Sequence, residues 1–389
     1  MSKKKVLVGM SGGVDSSVAA LLLKQSGYDV TGVTLKLKPE KYGLSHEQDI
    51  ADARRVAEKL SIEHLVVGFT NIFEKQVIEY FVEEYSNGRT PNPCIACNKF
   101  LKFGAMFDYA MEHGFDYIAT GHYARIEFDE DKKRWLLKRA NSSKDQSYVL
   151  YNLRQEQLAH TLFPLSEFEK TEIREIAEKH DLPIANKPDS QEICFIKNTN
   201  YVDFIKANFD VGNHSGNFVS TSGEILGKHN GILNYTIGQR KGLGVTFGKP
   251  MYVVGLNSTK SAVILGEEGE QYSNELIATK LNFIAFESLE KELTVTAKIR
   301  NQSRPEKAKL IPMSSNAVKV LFEAKQRSIT PGQSVVFYDR DVVIGGGVIF
   351  QGSVKQIIKY GTTGRKGECK LNNCVDRFVN TKRGTKKRS

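Results

Sequence analysis

The chain has 389 residues, 40% of them hydrophobic and 26% charged, with a formal net charge of +10. That length calls for two or three cores, and that composition excludes a disordered or fibrous chain. No apolar run is long enough to span a bilayer and the stretch after Ser2-Lys3-Lys4-Lys5 is too short for a secretory leader, so a cytoplasmic protein with no membrane partner is expected.

Residues 6–10 predict a strand, and residues 15–26 a helix stopped by Gly27 at the capping position. A second strand is predicted over 30–37. Residues 46–60 follow as an amphipathic helix, with Ile50, Ala53, Val56, Ala57 and Leu60 on one face. A strand over 64–69 precedes a helix capped by Asn71 and running to about residue 85. Residues 98–113 predict a helix and 117–120 a strand that ends in Gly121-His122-Tyr123. This alternation predicts an α/β domain, Rossmann-like, with a parallel sheet covered by helices on both faces. Residues 124–128 and 134–139 read as a hairpin around Asp129-Glu130-Asp131-Lys132-Lys133, and 171–180 and 201–209 as helices.

From about Gly212 the texture changes to short Gly-rich strands at 216–219, 231–233, 251–256 and 261–266. Between 276 and 359 the strands lengthen and alternate, as in 293–299, which suggests a small β-barrel. Beyond residue 361 the chain is polar and basic, and disorder is expected. The expected partition is a catalytic domain over 1–210, a small β-rich central domain over 211–272, a C-terminal β-barrel over 273–360 and a basic tail over 361–389.

Three constellations carry chemistry. Gly9-Met10-Ser11-Gly12-Gly13-Val14-Asp15-Ser16 lies between the first strand and the first helix. Its glycines let the backbone approach a ligand, and the helix N–H groups and serine hydroxyls can donate to phosphate oxygens. The Gly-Lys-Ser/Thr ending of a Walker A loop is missing, and Asp15 suits a magnesium ion shared with phosphates. The second constellation is Gly88-Arg89-Thr90-Pro91-Asn92-Pro93-Cys94-Ile95-Ala96-Cys97-Asn98-Lys99. Two prolines stiffen it, Cys97 falls at a helix entrance where a thiolate is favoured, and Arg89 and Lys99 add positive charge nearby. The third is Asp189-Ser190-Gln191-Glu192-Ile193-Cys194-Phe195-Ile196.

The five cysteines, an odd number, argue against a structural disulfide framework. Buried thiols, metal ligands and reactive groups stay open. A zinc site would join Cys94 and Cys97 to Cys369 and Cys374, and an iron–sulfur site would join Cys94, Cys97 and Cys194.

The Ser11–Ser16 run resembles the Ser-Gly-Gly-x-Asp-Ser fingerprint of the ATP pyrophosphatase (PP-loop) superfamily, whose fold is adenine-nucleotide α-hydrolase-like. Together with the two cysteine stretches, Gly121-His122-Tyr123-Ala124-Arg125, Lys144-Asp145-Gln146-Ser147-Tyr148 and Tyr235-Thr236-Ile237-Gly238-Gln239-Arg240-Lys241-Gly242-Leu243-Gly244, the chain resembles the tRNA-specific 2-thiouridylase (MnmA) family from residue 5 to about 360. The resemblance implies ATP-dependent replacement of the C2 oxygen of the wobble uridine by sulfur. ATP would adenylate that oxygen, AMP and pyrophosphate would be released, and a cysteine persulfide would carry the sulfur.

The same resemblance implies roles residue by residue. Cys97 would be the nucleophile and Cys194 the persulfide bearer, the two closing a transient disulfide. Gly9 to Ser16, Leu35 and Gly121 would bind ATP, with magnesium at Asp15 through the phosphates and no permanently bound metal. Asn92, Pro93 and Cys94 would meet the target base, and His122, Lys144, Asp145, Gln146, Arg300, Asn301 and Gln333 the tRNA. The partners implied are a tRNA anticodon stem-loop and a sulfur-carrier or cysteine desulfurase protein. Cys94 stands where some relatives carry Asp, and Asn301 where relatives often carry Tyr or Ser, so an aromatic stack there is not available. A different PP-loop enzyme that adenylates a small metabolite would share the first loop and leave both thiols idle.

Overall fold

Val6, Leu7 and Val8 have no exposed surface. Their alternation along one strand explains the first layer of the structure. In the computed structural model, which describes residues 2–188, 193–196, 199–212 and 214–350, β1 (Lys5–Gly9) is the middle of a five-stranded parallel sheet. It pairs on one side with β2 (Asp29–Lys36), which pairs with β3 (Glu63–Gly68). On the other side it pairs with β4 (Tyr117–Ala119), which pairs with a two-residue strand at Thr161–Leu162.

Successive side chains of a strand point to opposite faces. Val6 and Val8 pack with Val18 and Ala19 of α1 (Val14–Gln25), with Val56 of α2 (Glu47–Leu60) and with Ile173 of the helix Lys170–Lys179. Leu7 packs on the opposite side, with Phe103, Met106, Phe107 and Ala110. The expected sheet with helices on both faces is therefore present.

Two long helices depart from plain α geometry. Residues 70–86 form one helix (α3) with a π-helical stretch at Glu74–Glu79, and residues 93–112 form another (α4) with a π-helical stretch at Asn98–Ala105. The start of α4 corrects the sequence expectation. Pro93 occupies the first helical position, where its missing N–H is no loss, and Asn92 caps the helix by accepting the Ile95 N–H at 3.2 Å. The helix begins five residues before the expected residue 98, so Cys97 lies inside it rather than at its entrance.

The central β region has a four-stranded sheet over a core of Phe218, Val253, Val263 and Leu265. Its strands are Gly216–Ser220, Ile225–His229, Tyr252–Asn257 and Ala262–Gly266. The strand expected at 231–233 is instead part of a 3-10 turn, Ile232–Asn234, whose Ile232 and Leu233 are buried. Six strands between Tyr272 and Ile349 close into the expected barrel, because Tyr272–Phe283 pairs with both Ala317–Arg327 and Val342–Ile349. The hairpin Ala124–Asp129/Arg134–Arg139 is also present, and it joins the barrel edge through Lys138 and Val342. The remainder of the expected barrel range and the tail with Cys369 and Cys374 fall outside the described residues, as do Asp189 to Glu192.

Two buried tyrosines fasten the barrel to the α/β domain. The Tyr148 hydroxyl donates to the Ser334 carbonyl at 2.7 Å, and the Tyr151 hydroxyl lies 3.1 Å from Ser334 Oγ. Gly346 makes room for this joint: a Cβ there would stand 2.7 Å from both the Tyr151 ring and the Val335 carbonyl. Gly346→Val is therefore expected to lower the thermal midpoint by several degrees, as overpacking of about 1–3 kcal/mol does. A midpoint equal to that of the parent protein would contradict this account of the joint.

Candidate active site

The phosphate-cradle loop sits where the strand order reverses, between β1 and β4, the place at which open α/β sheets form a crevice. Its shape is fixed by its own small side chains. The Ser11 N–H reaches Ser16 Oγ at 3.2 Å, and the Ser16 and Ser17 hydroxyls donate to the Gly13 carbonyl at 3.1 and 2.8 Å. Met10 is tied to β2 through the Val33 carbonyl at 2.8 Å. Gly12 has φ +71, and a Cβ there would stand 2.6 Å from the Asp49 carbonyl. Gly13 is the N-cap of α1 and Val14 its first residue, so the N–H groups of the first turn open toward the crevice.

Across the crevice, Gly121 follows β4 and lies against that first turn: a Cβ there would stand 2.7 Å from Asp15 C and Ser16 N. Gly9, at the end of β1, faces Met106, and Leu35 lies near the carboxyl end of β2. The expected nucleotide residues thus gather at the carboxyl ends of β1, β2 and β4. Sequence reading missed the charges around them. Lys170 Nζ donates to Asp15 Oδ1 at 2.6 Å, and the Tyr123 hydroxyl donates to the same oxygen at 2.8 Å. Lys187 Nζ donates to the Gly12 carbonyl at 3.0 Å and to buried Asp52 at 2.6 Å. Burial works to raise the Asp52 pKa, but hydrogen bonds from Lys187, Arg55 and Gln48 outweigh it and hold the carboxyl below its ordinary range. Tyr123 was within reach of the sequence, since it directly follows Gly121-His122. Nothing in local pattern marks Lys170 or Lys187.

Cys94 and Cys97 lie in the first five residues of α4. Cys94 is exposed at the second residue of the helix, and Cys97 is half-buried at the fifth. Cys194 is exposed, but its neighbour Phe195 is anchored among Phe73, Phe81 and Phe204, with ring centroids 5.9, 5.3 and 5.5 Å away. Ala96, Leu101 and Cys97 border the same aromatic core. Buried Phe195 therefore brings Cys194 to the helix that carries Cys97.

The electrostatics differ from the sequence expectation. Desolvation by the surrounding protein pushes the Cys97 thiol up to about 12, with a further rise from Cys194 and Cys94 and opposition from Lys102. The Cys194 thiol is also raised, first by desolvation and then by Cys94, while Lys38 and Lys102 oppose the rise. A helix N-terminus acts within its first turn, and Cys97 lies beyond it. The cations in reach are Lys102 and Lys38. Arg89 is instead held by Glu84 at 2.8 and 2.6 Å, and Lys99 lies over the Phe100 ring. Among the described residues no group of three His, Cys, Asp or Glu side chains converges to hold a metal ion, Cys94, Cys97 and Cys194 included.

The remaining candidates divide into clamped and open groups. Gln333 Nε2 donates to the Thr90 and Pro91 carbonyls at 3.0 and 3.2 Å, and the Thr90 N–H donates to the Pro331 carbonyl at 2.8 Å. The barrel thus grips the stretch that leads into Asn92, Pro93 and Cys94. Arg300 donates to the Ser328 carbonyl at 2.6 Å and to Thr330 at 3.1 Å, bracing that barrel loop. Asp145 accepts from Arg139, Ala140 and Ser147, and Gln146 Oε1 accepts the Tyr123 N–H at 3.1 Å. His122 is buried, with Nδ1 2.6 Å from Thr120 Oγ1, and burial first, then Lys102, pushes its pKa well below the ordinary value. Lys144 and Asn301 are exposed.

Three family models match the chain in order. Residues 4–198 match one described as a tRNA methyl transferase HUP domain, 202–267 a tRNA methyl transferase PRC-barrel domain and 273–349 an aminomethyltransferase β-barrel domain. The tRNA-specific 2-thiouridylase MnmA of Acetivibrio thermocellus is 52% identical over 358 residues, covering 90% of this chain and 100% of that protein. Its counterpart in Clostridioides difficile is 51% identical over 353 residues, covering 89% and 98%. A solved 4-thiouridine synthetase–RNA complex with bound ATP is 22% identical with a TM-score of 0.33, over 49% of this chain and 45% of that one. A likeness that distant carries no functional argument.

The raised Cys97 pKa has a direct consequence. Only the thiolate reacts with iodoacetamide, so labelling of Cys97 is expected to keep climbing between pH 8 and pH 10, toward the value of about 12. A plateau below pH 9 would contradict the desolvated position.

Proposed function

Because the chain belongs to the tRNA-specific 2-thiouridylase (MnmA) family, we propose that it replaces the C2 oxygen of the wobble uridine of tRNA by sulfur, using ATP. It is an enzyme of the tRNA sulfurtransferase class. The observation that carries the mechanistic reading is a single α/β domain that joins the Gly9–Ser16 cradle to a helix bearing Cys97, with Cys194 in its electrostatic reach.

A carbonyl oxygen leaves poorly. Adenylation turns it into AMP, which leaves well. The cradle's N–H groups and the Ser11 hydroxyl hold the β and γ phosphates as the C2 oxygen attacks the α phosphorus and pyrophosphate departs. Asp15 fits a magnesium ion on those phosphates. Its Oδ1 accepts from Lys170 and Tyr123, and the ion would neutralise phosphate charge when bound. Lys187 keeps Gly12 in place throughout.

Sulfur then arrives on Cys194 as a persulfide. Its outer sulfur bonds to C2 while AMP leaves with the old oxygen. The Cys97 thiolate attacks the inner sulfur and the S–S bond of the persulfide breaks. Its electron pair stays with the transferred sulfur as C2=S, and Cys97 and Cys194 are left as a disulfide. Two equivalents of an external thiol, which leave as their own disulfide, reset the pair. Exposure of Cys194 supports delivery by a sulfur-carrier or desulfurase protein, and a cytoplasmic setting belongs to the same reading.

Asn92, Pro93 and Cys94 meet the uridine, which must leave its stack to react. Lys144 and Asn301, both exposed, are placed to touch RNA, and Lys144 suits a phosphate. Asp145 and Gln146 shape the loop that presents Lys144, and His122 acts from inside the site. The net charge of +10 fits a phosphate-rich partner whose affinity falls with salt.

With purified protein, ATP, unmodified tRNA and a persulfide donor, Cys194→Ser is expected to reduce 2-thiouridine formation at least about 100-fold while the variant still binds ATP. Thiolation by that variant at the parent rate would overturn the persulfide assignment.

A further inference from the structure

Lys102 is half-buried and, among the described residues, makes no ion pair with a carboxylate. The other lysines around the site differ. Lys38 is paired with Asp49 at 2.9 Å, Lys170 with Asp15 at 2.6 Å and Lys187 with Asp52 at 2.6 Å. The one described side-chain neighbour within hydrogen-bonding range of Lys102 Nζ is His122 Nε2, at 3.5 Å.

An ammonium can only donate, so Nε2 of neutral His122 must be the acceptor. The proton then sits on Nδ1, which donates to Thr120 Oγ1 at 2.6 Å. His122 is thereby a neutral support for Lys102 and does not cancel its charge. The helix itself aims Lys102. It lies five residues after Cys97, and the stretch Asn98–Ala105 is π-helical. Turns closed between residues i and i+5 bring positions five apart onto one face, whereas an α-helix would turn them about 140° from each other. A π-stretch gives up regular packing, and it is found preferentially at functional sites.

We propose that Lys102 is the resident counter-cation of the sulfur chemistry, holding the anionic sulfur on half-buried Cys97 and on the Cys194 persulfide. Desolvation disfavours both sulfur anions, and Lys102 opposes it at both cysteines. Among the described residues, the titratable and charged groups facing Cys97 are Lys102, Cys194 and Cys94, and those facing Cys194 are Cys94, Lys38 and Lys102. Lys38 faces Cys194 with its charge already met by Asp49. Lys102 alone is positive, near both sulfurs and without an acidic partner among the described residues.

This inference rests on the sulfur-transfer reading, but its test does not need turnover. The full chain, without ATP or tRNA, is labelled with iodoacetamide between pH 7 and pH 9.5, and fragment mass spectrometry reads Cys97 and Cys194 separately. Lys102→Met is expected to slow labelling of both about 3- to 10-fold at a fixed pH, a loss of roughly half to one pKa unit in thiolate. Lys102→Arg keeps the charge and is expected to stay within about 2-fold of the parent rate. Equal rates in the Met variant would overturn the proposal. So would slow labelling in both variants with a lowered thermal midpoint, which would mark a packing role. Thiolation that survives in Cys97→Ser and Cys194→Ser would instead defeat the sulfur-transfer reading and leave the labelling result standing.

Discussion

The stretch from Gly88 to Pro93 is the constraint on which the catalytic geometry depends, because all three parts of the protein close on it. Gly88, at φ +70, lies against Leu256 of the central region, where a Cβ would come within 3.0 Å of the leucine Cβ. Arg89 is held in a two-pronged pair with Glu84. Thr90 and Pro91 are gripped by Pro331 and Gln333 of the barrel. The next two residues are the cap Asn92 and the first helical residue Pro93. Everything on α4 is counted from that start: Cys94 at the mouth, Cys97 one turn further, Lys102 beyond it.

The N-terminal fold was legible because its physics is local. Val6, Leu7 and Val8 alternate between two helix layers, and Gly27 stops the first helix with φ +87. The tight turn of the Gly9–Ser16 loop was legible too, since Gly12 sits at φ +71 with the Asp49 carbonyl 2.6 Å from where a Cβ would stand. The start of α4 departs from the expectation because two prolines in a run of small residues predict a stiff loop. The cap at Asn92 and the tolerance of proline at the first helical position decide otherwise. That shift of five residues also reversed the expected Cys97 pKa. A thiol beyond the first turn gains little from the helix dipole and meets the desolvation of the aromatic core instead. The 3-10 turn at Ile232–Asn234 was read as strand because buried apolar residues look alike in either conformation.

What sequence could not supply is the arrangement of charge around the crevice. Lys170 lies 155 residues from its partner Asp15, and Lys187 lies 175 residues from Gly12, distances over which no periodicity speaks. These two lysines brace the Gly9–Ser16 loop, with Asp15 and Asp52 as their carboxylate partners. The thiol side is built the other way, around a lysine supported by a neutral histidine.

The central claim is that this chemistry ends as sulfur on a tRNA uridine. Nucleoside analysis of tRNA from cells that lack the gene tests it most directly. The account predicts that 2-thiouridine derivatives disappear and return when the intact gene is restored. A normal 2-thiouridine content in those cells would contradict it.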